Sequence, residues 1–262
     1  MKLAPRSFSS SGHRGTRVSA PLVLRAGWRA VKVIPPVNTE RPATLALLAD
    51  RDAPGPDLMR RALDVCHARG IPSAISQALR PCDYAPFLSA GGTLVQELLL
   101  LSLHDPAPHR IWNRGAGMVQ RHRPDHRIEH LDYRAFGGFW HFDAVALADA
   151  MAATSISRLR AVMVNDEPVG YLISGANGSR GFIQRLAVDP VHQGRGYAGA
   201  LLRDSLGWLG RRGATSVTIN TQTDNHRARA LYERHGFAVQ PERLGVVGWN
   251  VSYPSLPRSV AR

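Results

Sequence analysis

The sequence predicts an α/β fold of the α+β kind: a mixed, mostly antiparallel sheet flanked by helices, preceded by a smaller α/β unit. Three observations carry the prediction. Apolar residues recur at strand and at helix spacing in successive segments. An alternating run over residues 182–188 leads into a glycine-rich turn and then a helix. An order of helix, strand, helix and strand over residues 57–103 returns in the second half, where Gly213 stands 143 positions after Gly70. With 262 residues, 44% of them hydrophobic, the chain can bury one large core or two smaller ones.

Composition narrows the function classes before any motif is read. No apolar run reaches the roughly 18 residues of a membrane-spanning helix, and the greasiest stretch, 94–103, is interrupted by Gln96 and Glu97. A membrane partner is therefore not expected. Two cysteines, Cys66 and Cys82, read as buried thiols in a reducing cytoplasm. The net charge of +13 is uneven: residues 1–39 hold seven basic and no acidic side chains, 40–113 balance to −1, and 114–262 carry +7. Only Lys2 and Lys32 are lysines. The basic excess reads mainly as a solvated arm; nucleic acid is the weaker interpretation.

In chain order, residues 1–19 have no apolar period and read as a disordered basic tail. Residues 21–34 form one or two short strands and 43–49 another. Asp57 is expected to cap a helix that Gly70 ends, with a strand over 71–79, a short helix over 84–90 and a strand over 94–103 to follow. Residues 105–113 make a polar linker. A strand near 117–121, a helix over 125–136 and a second helix from Asp143 to Ala153 come next. Strands over 158–164 and 169–174 make a hairpin about Asn165-Asp166-Glu167-Pro168. The strand 182–188, the glycine turn, a helix from Ala198, a strand over 214–222, a helix over 225–235 and two strands near 237–241 and 245–252 complete the order. The units are expected at 20–104 and 114–253, with a loose tail at 254–262.

The turn carries the chemistry. Gln193, Gly194, Arg195, Gly196, Tyr197, Ala198 and Gly199 follow Leu186-Ala187-Val188 and Asp189-Pro190. Small residues let backbone approach a phosphate, and the first amides of a helix are free donors at its positive end. The spacing is neither GxGxxG nor a P-loop, which would end in Lys-Ser/Thr. Gln193-x-x-Gly196-x-Ala198, followed by Asn225-x-x-Ala228-x-x-Leu231-Tyr232-x-x-x-Gly236-Phe237, resembles the paired motifs of the GNAT superfamily of acyl-CoA-dependent N-acetyltransferases. The resemblance covers residues 114–253. It implies a GNAT-type sheet and makes the first unit similar to a degenerate GNAT repeat, as in tandem members of the superfamily. Before the first helix, 51–56 lack the glycine turn and place two prolines where donors would be needed, so that unit is expected to have lost coenzyme A.

The resemblance implies acetyl-CoA as cosubstrate. Backbone amides of residues 194–199 would take its pyrophosphate, the main chain of Leu186, Ala187 and Val188 its pantetheine arm, and Asn225 would add a side-chain hydrogen bond. Tyr232 stands where the family places the tyrosine that protonates or hydrogen-bonds the leaving thiolate. The positions where relatives carry a glutamate base hold Asn220 and Gln184, so deprotonation through water and carbonyls is expected. Phe139, Trp140 and His141 read as a substrate wall, with His141 and Asp143 weaker candidates for a base. His122, His126 and His130 are spaced like a metal face, but Pro124 breaks the helix and no metal is expected.

The expectation is thus a cytoplasmic acetyltransferase acting by direct attack on a primary amine, a protein or peptide amine ahead of a small-molecule one, with a homodimer left open. Two rivals stand beside it: a non-catalytic acyl-CoA sensor and a nucleic-acid binder acting through the basic arm.

Overall fold

The computed structural model describes residues 20–36, 41–48, 55–106 and 118–251. The expected basic tail, most of the linker and the C-terminal tail lie outside the described residues. The elements are β1 (Leu22–Ala26), β2 (Arg29–Ile34), β3 (Ala43–Leu47), α1 (Pro56–Ala68), β4 (Ala74–Ser76), α2 (Ala85–Ser89), β5 (Thr93–His104), β6 (Val119–His122), α3 (His126–Trp140), α4 (Ala144–Ala152), β7 (Ile156–Val164), β8 (Glu167–Asn177), β9 (Arg180–Val188), α5 (Tyr197–Arg211), β10 (Ser216–Gln222), α6 (His226–Arg234) and β11 (Ala238–Trp249).

These strands make one sheet in the order β1-β2-β3-β4-β11-β5-β10-β9-β8-β7-β6. Only β3 with β4 and β9 with β10 run parallel; the other neighbours are antiparallel. Each half gives its last strand to the other. β5, which follows α2, lies between β10 and β11, while β11, which follows α6, lies between β4 and β5. Packing repeats the exchange. Leu99, Leu101 and Leu103 of β5 join the core beneath α5, and Val247 and Trp249 of β11 join the core built on α1 and α2. Trp249 is anchored there by its indole N–H, which donates to Ala90 O at 3.1 Å, and by Phe87, whose ring lies 6.1 Å away. A buried leucine contributes about 1.5–3 kcal/mol through area removed from water, so β5 alone ties the halves together substantially.

Local chemistry explains most boundaries. The Asp125 carboxylate accepts from the backbone N–H groups of Arg127 and Ile128 to start α3, and Asp143 accepts from Ala146 N at 2.8 Å to start α4. Asn165 and Asp166 have φ of 51° and 63°, the two positive values a type I′ turn needs to join β7 to β8.

Four expectations are corrected. Gly55 precedes α1 and Pro56 opens it, so Asp57 sits in the first turn and pairs with Arg60 instead of capping. The strand expected over 71–79 shrinks to 74–76; the Ser76 hydroxyl accepts the Val247 N–H at 2.9 Å, taking the place of a strand carbonyl. The helix expected to end at Phe136 runs on to Trp140 across a break at Gly137, whose φ is 75°. The two final strands are one, β11, which bulges between Val239 and Arg243 where Pro241 has no N–H to donate.

Candidate active site

The turn after β9 is built from its side chains outward. Asp189 accepts Val191 N at 3.1 Å and pairs with Arg134 Nε at 2.6 Å, fixing a single 3₁₀ turn over Pro190–His192. Gln193 folds back on the strand: its Nε2 donates to Val188 O at 3.2 Å, and its Oε1 accepts from Arg227 Nη1 at 2.5 Å. Arg227 belongs to α6, so this pair bridges the two motifs. Gly194 and Gly196 then adopt φ of 79° and 81°, left-handed values that a side chain would strain. Gly196 caps α5, and the backbone N–H groups of residues 194–199 have no acceptor among the described residues. Consecutive free amides about left-handed residues, at a helix N-terminus, form an anion-binding concavity.

Beside it the sheet opens. β9 and β10 are paired at only three positions, the last being Phe182 opposite Thr218. Beyond that, β9 keeps its ladder with β8, and β10 keeps its own with β5. The edge of β9 that carries Leu186, Ala187 and Val188 has therefore lost its β10 neighbour. The cause lies in β9 itself: its register against β8 slips between Ile173 and Ser174, leaving Gln184 as an extra residue. Such a bulge bends the strand and aims consecutive side chains to one face. Gln184 reaches Thr154 after α4 at 3.3 Å, and Arg185 reaches Asp132 on α3.

Tyr232 is 5% exposed, packs 6.0 Å from the Phe237 ring, and has a hydroxyl without a hydrogen-bond partner among the described residues. Burial pushes its phenol well above the usual tyrosine value, against the opposing charge of Arg185. The proton is thus held at any ordinary pH. Asn225 is not a free hydrogen-bonding arm: its Oδ1 accepts Ala228 N at 3.1 Å and caps α6, which leaves its amide N–H groups as donors.

Sequence reading missed a buried polar cluster on the far face of β9. Asp132 is fully buried and accepts from Arg185 Nε at 2.8 Å, Arg185 Nη2 at 2.7 Å, the Tyr171 hydroxyl at 2.6 Å and Phe142 N at 2.5 Å. Burial disfavours the Arg185 charge, but Asp132 outweighs it and holds the guanidinium pKa above its ordinary value. Burial and the Asp132 charge together raise the Tyr171 phenol well above its own. The available signal was the pair Gln184-Arg185 interrupting the apolar run of β9, together with an aspartate on the buried stripe of α3.

The wall residues lie around this cluster. The Trp140 carbonyl accepts from Arg185 at 2.7 Å, Phe139 and Trp140 meet edge to face at 5.0 Å, and His141 Nδ1 lies 2.9 Å from Gly138 O. Asp143 has no spare capacity for a base: besides its cap it binds Arg41 at 2.6 Å. Asn220 points outward, exposed, in register with Leu100. His122 stands on β6 while His126 and His130 share α3, so the three histidines are not one helical face.

Residues 125–237 match the family described as the acetyltransferase (GNAT) family. This stretch of the chain is a GNAT-family domain. The chain is 30% identical over 202 residues to the mycothiol acetyltransferase of Beutenbergia cavernae, covering 74% of this chain and 63% of that protein. It is 40% identical over 58 residues to N-alpha-acetyltransferase 30 of Schizosaccharomyces pombe, 22% of this chain and 39% of the relative. The chain thus spans less than two thirds of the length of either relative. A tandem GNAT protein from the clavulanic acid biosynthesis pathway superposes with a TM-score of 0.55 at 13% identity, over 87% of this chain and 81% of its own. That likeness is one of fold, and it runs over both halves of the sheet.

Proposed function

We propose that this GNAT protein transfers the acetyl group of acetyl-CoA to a primary amine by direct attack. The observation that carries the reading is the gap between β9 and β10 beyond Phe182 and Thr218, which has free amides at one end, while Tyr232 sits in the core that Leu186 also joins. Acetyl-CoA supplies an acyl thioester. The amides of residues 194–199 bind its pyrophosphate, the unpaired edge at Leu186, Ala187 and Val188 aligns the pantetheine arm as an added strand, and the Asn225 amide group donates from α6. Gln193 and Arg227 brace the mouth. Tyr232 holds its proton through burial and delivers it to the departing sulfur, a contribution of about 10²–10⁴ in rate. With Asn220 exposed and Asp143 committed to Arg41, the amine passes its proton to bulk solvent through water held by backbone carbonyls.

The acceptor enters from the side of α3 and α4, where the first half of the chain docks. Lys32 of β2 pairs with Asp149 of α4 at 2.7 Å, and Arg41 with Asp143. A unit packed there narrows the acceptor side, which favours a small-molecule amine, and the long match to a mycothiol acetyltransferase supports this order over the one drawn from the sequence. A protein N-terminus is the second reading, supported by the shorter match to the fission-yeast enzyme. Release of CoA thiol from acetyl-CoA, measured across amino sugars and short peptides, tests both. Tight acetyl-CoA binding without thiol release from any amine would instead favour an acyl-CoA sensor.

A further inference from the structure

The Asp132–Arg185 pair joins the strand that would carry the acyl donor to the wall that would carry the acceptor. The Arg185 guanidinium is sandwiched, its central carbon 3.5 Å from the Phe136 ring centre and 3.9 Å from that of Phe142. Its three directed hydrogen bonds go to both oxygens of Asp132 and to the Trp140 carbonyl. Asp132 in turn takes the Phe142 N–H. The backbone of the wall is therefore gripped at Trp140 by the arginine and at Phe142 by the aspartate. Just upstream, the left-handed Gly137 kinks α3 and sets its last turn, to Trp140, apart from the rest of the helix.

Stability alone is a poor reason for this arrangement, because apolar groups of similar size replace many buried ion pairs without loss. What apolar groups could not do is fix the last turn of α3 at Trp140 and the loop after it at Phe142 with directed bonds. Arg185 also follows directly on the bulged Gln184, so the residue that grips the wall belongs to the bend that opens β9.

We propose that Arg185, oriented by Asp132, is a positioning residue that locks residues 138–142 against the bent part of β9, and so sets the distance between acceptor and acyl donor. This inference rests on the acetyl-transfer reading for its catalytic consequence, but its structural consequence is independent of it. Arg185 acts through the wall and takes no part in proton transfer.

The test uses the full chain with Arg185→Lys, Arg185→Met and Tyr171→Phe. Lysine keeps the charge but cannot reproduce a planar fork; Tyr171→Phe removes one bond to Asp132 and serves if Arg185→Met fails to fold. For both Arg185 variants, calorimetric affinity for acetyl-CoA is expected to stay within about threefold of the parent. Amide exchange over residues 138–142 should rise by about tenfold or more, without faster exchange in β7 and β8. With glucosamine and a short peptide as acceptor probes, kcat/KM for whichever amine the parent acetylates should fall about 100-fold, the scale expected of a reactant misplaced by an ångström. Unchanged exchange at 138–142, or Arg185→Lys retaining parental kcat/KM, would overturn the proposal. So would acetyl-CoA affinity, wall protection and sheet protection all falling together, the mark of a merely structural pair. If the parent binds acetyl-CoA but acetylates neither probe, the functional reading suffers, and the exchange measurement still decides the role of Arg185.

Discussion

Phe182 and Thr218 are the last residues that β9 and β10 hold opposite each other. Beyond them two adjacent parallel strands part, and a sheet of eleven strands acquires an internal edge. An unpaired strand edge invites another extended chain to bind it, and this one ends at a turn rich in free amides.

Gly196 is the most sensitive point of that turn. A methyl group there would meet nothing within 4 Å, so the cost of Gly196→Ala is the left-handed backbone at φ 81°. That cost is of order 1 kcal/mol in local geometry, and we expect acetyl-CoA affinity to fall several-fold by calorimetry. Gly196→Asp adds a carboxylate at the anion concavity and should abolish binding; retained micromolar affinity would remove the turn from the cofactor site.

Tyr232→Phe removes a hydroxyl that bonds to no described residue, so thermal stability should hardly move. Turnover is expected to drop about 10²–10⁴-fold, with acetyl-CoA affinity unchanged. An unaltered rate in steady-state assays would exclude Tyr232 as the acid.

His235 should make stability depend on pH. Burial depresses its pKa below 6.5, with Arg203 and Arg234 adding to the effect and the Leu231 carbonyl opposing it. The unfolded chain therefore binds a proton more readily than the folded one. Its contribution is complete above pH 6.5 and is lost as pH falls towards the depressed value. Denaturant unfolding at pH 7.5 and 5.5 should show a decline that His235→Gln reduces; an equal decline in both proteins would count against this assignment.

Arg41→Met leaves the cap of α4 intact but strips the partner from an Asp143 side chain that is only 10% exposed. A loss of about 1–3 kcal/mol is expected for a buried charged hydrogen bond, measurable as a lower denaturation midpoint. No change would mean that the first half docks mainly through β5 and β11.

A fragment beginning at residue 114 contains both sequence motifs yet lacks β5. Its β10 and β11 would each expose an apolar edge, and we expect it to aggregate when expressed alone. Light scattering should report this, and a synthetic peptide of residues 93–104 should suppress it. A monomeric, folded fragment would contradict the shared-strand architecture.

Which parts of this were legible in the sequence follows from how local their causes are. Asp125, Asp143 and the Asn165-Asp166 turn act within a few residues, and each performs in the fold the role its type suggests. The glycine turn and the helix after it are of the same kind. Asp57 misled because Pro56, one residue earlier, took the first helical position. The exchange of β5 and β11 left no local mark, since Leu99, Leu101 and Leu103 look alike whichever strand they face. The parting of β9 from β10 depends on a one-residue slip at Gln184, and periodicity does not register a slip against a distant partner. Nothing in the run 182–188 marks Arg185 as buried; only Asp132, 53 positions away, makes its burial possible.

The place of β5 also bears on how the molecule is made. His104 waits for Ser216, its counterpart in the ladder, through 112 further residues of synthesis. Until then a leucine-rich segment has neither of its eventual neighbours, and closing so long a loop is slow. The nascent chain should therefore complete this sheet only after β10 and β11 have been synthesised, and should depend on chaperones that shelter extended apolar segments in the meantime.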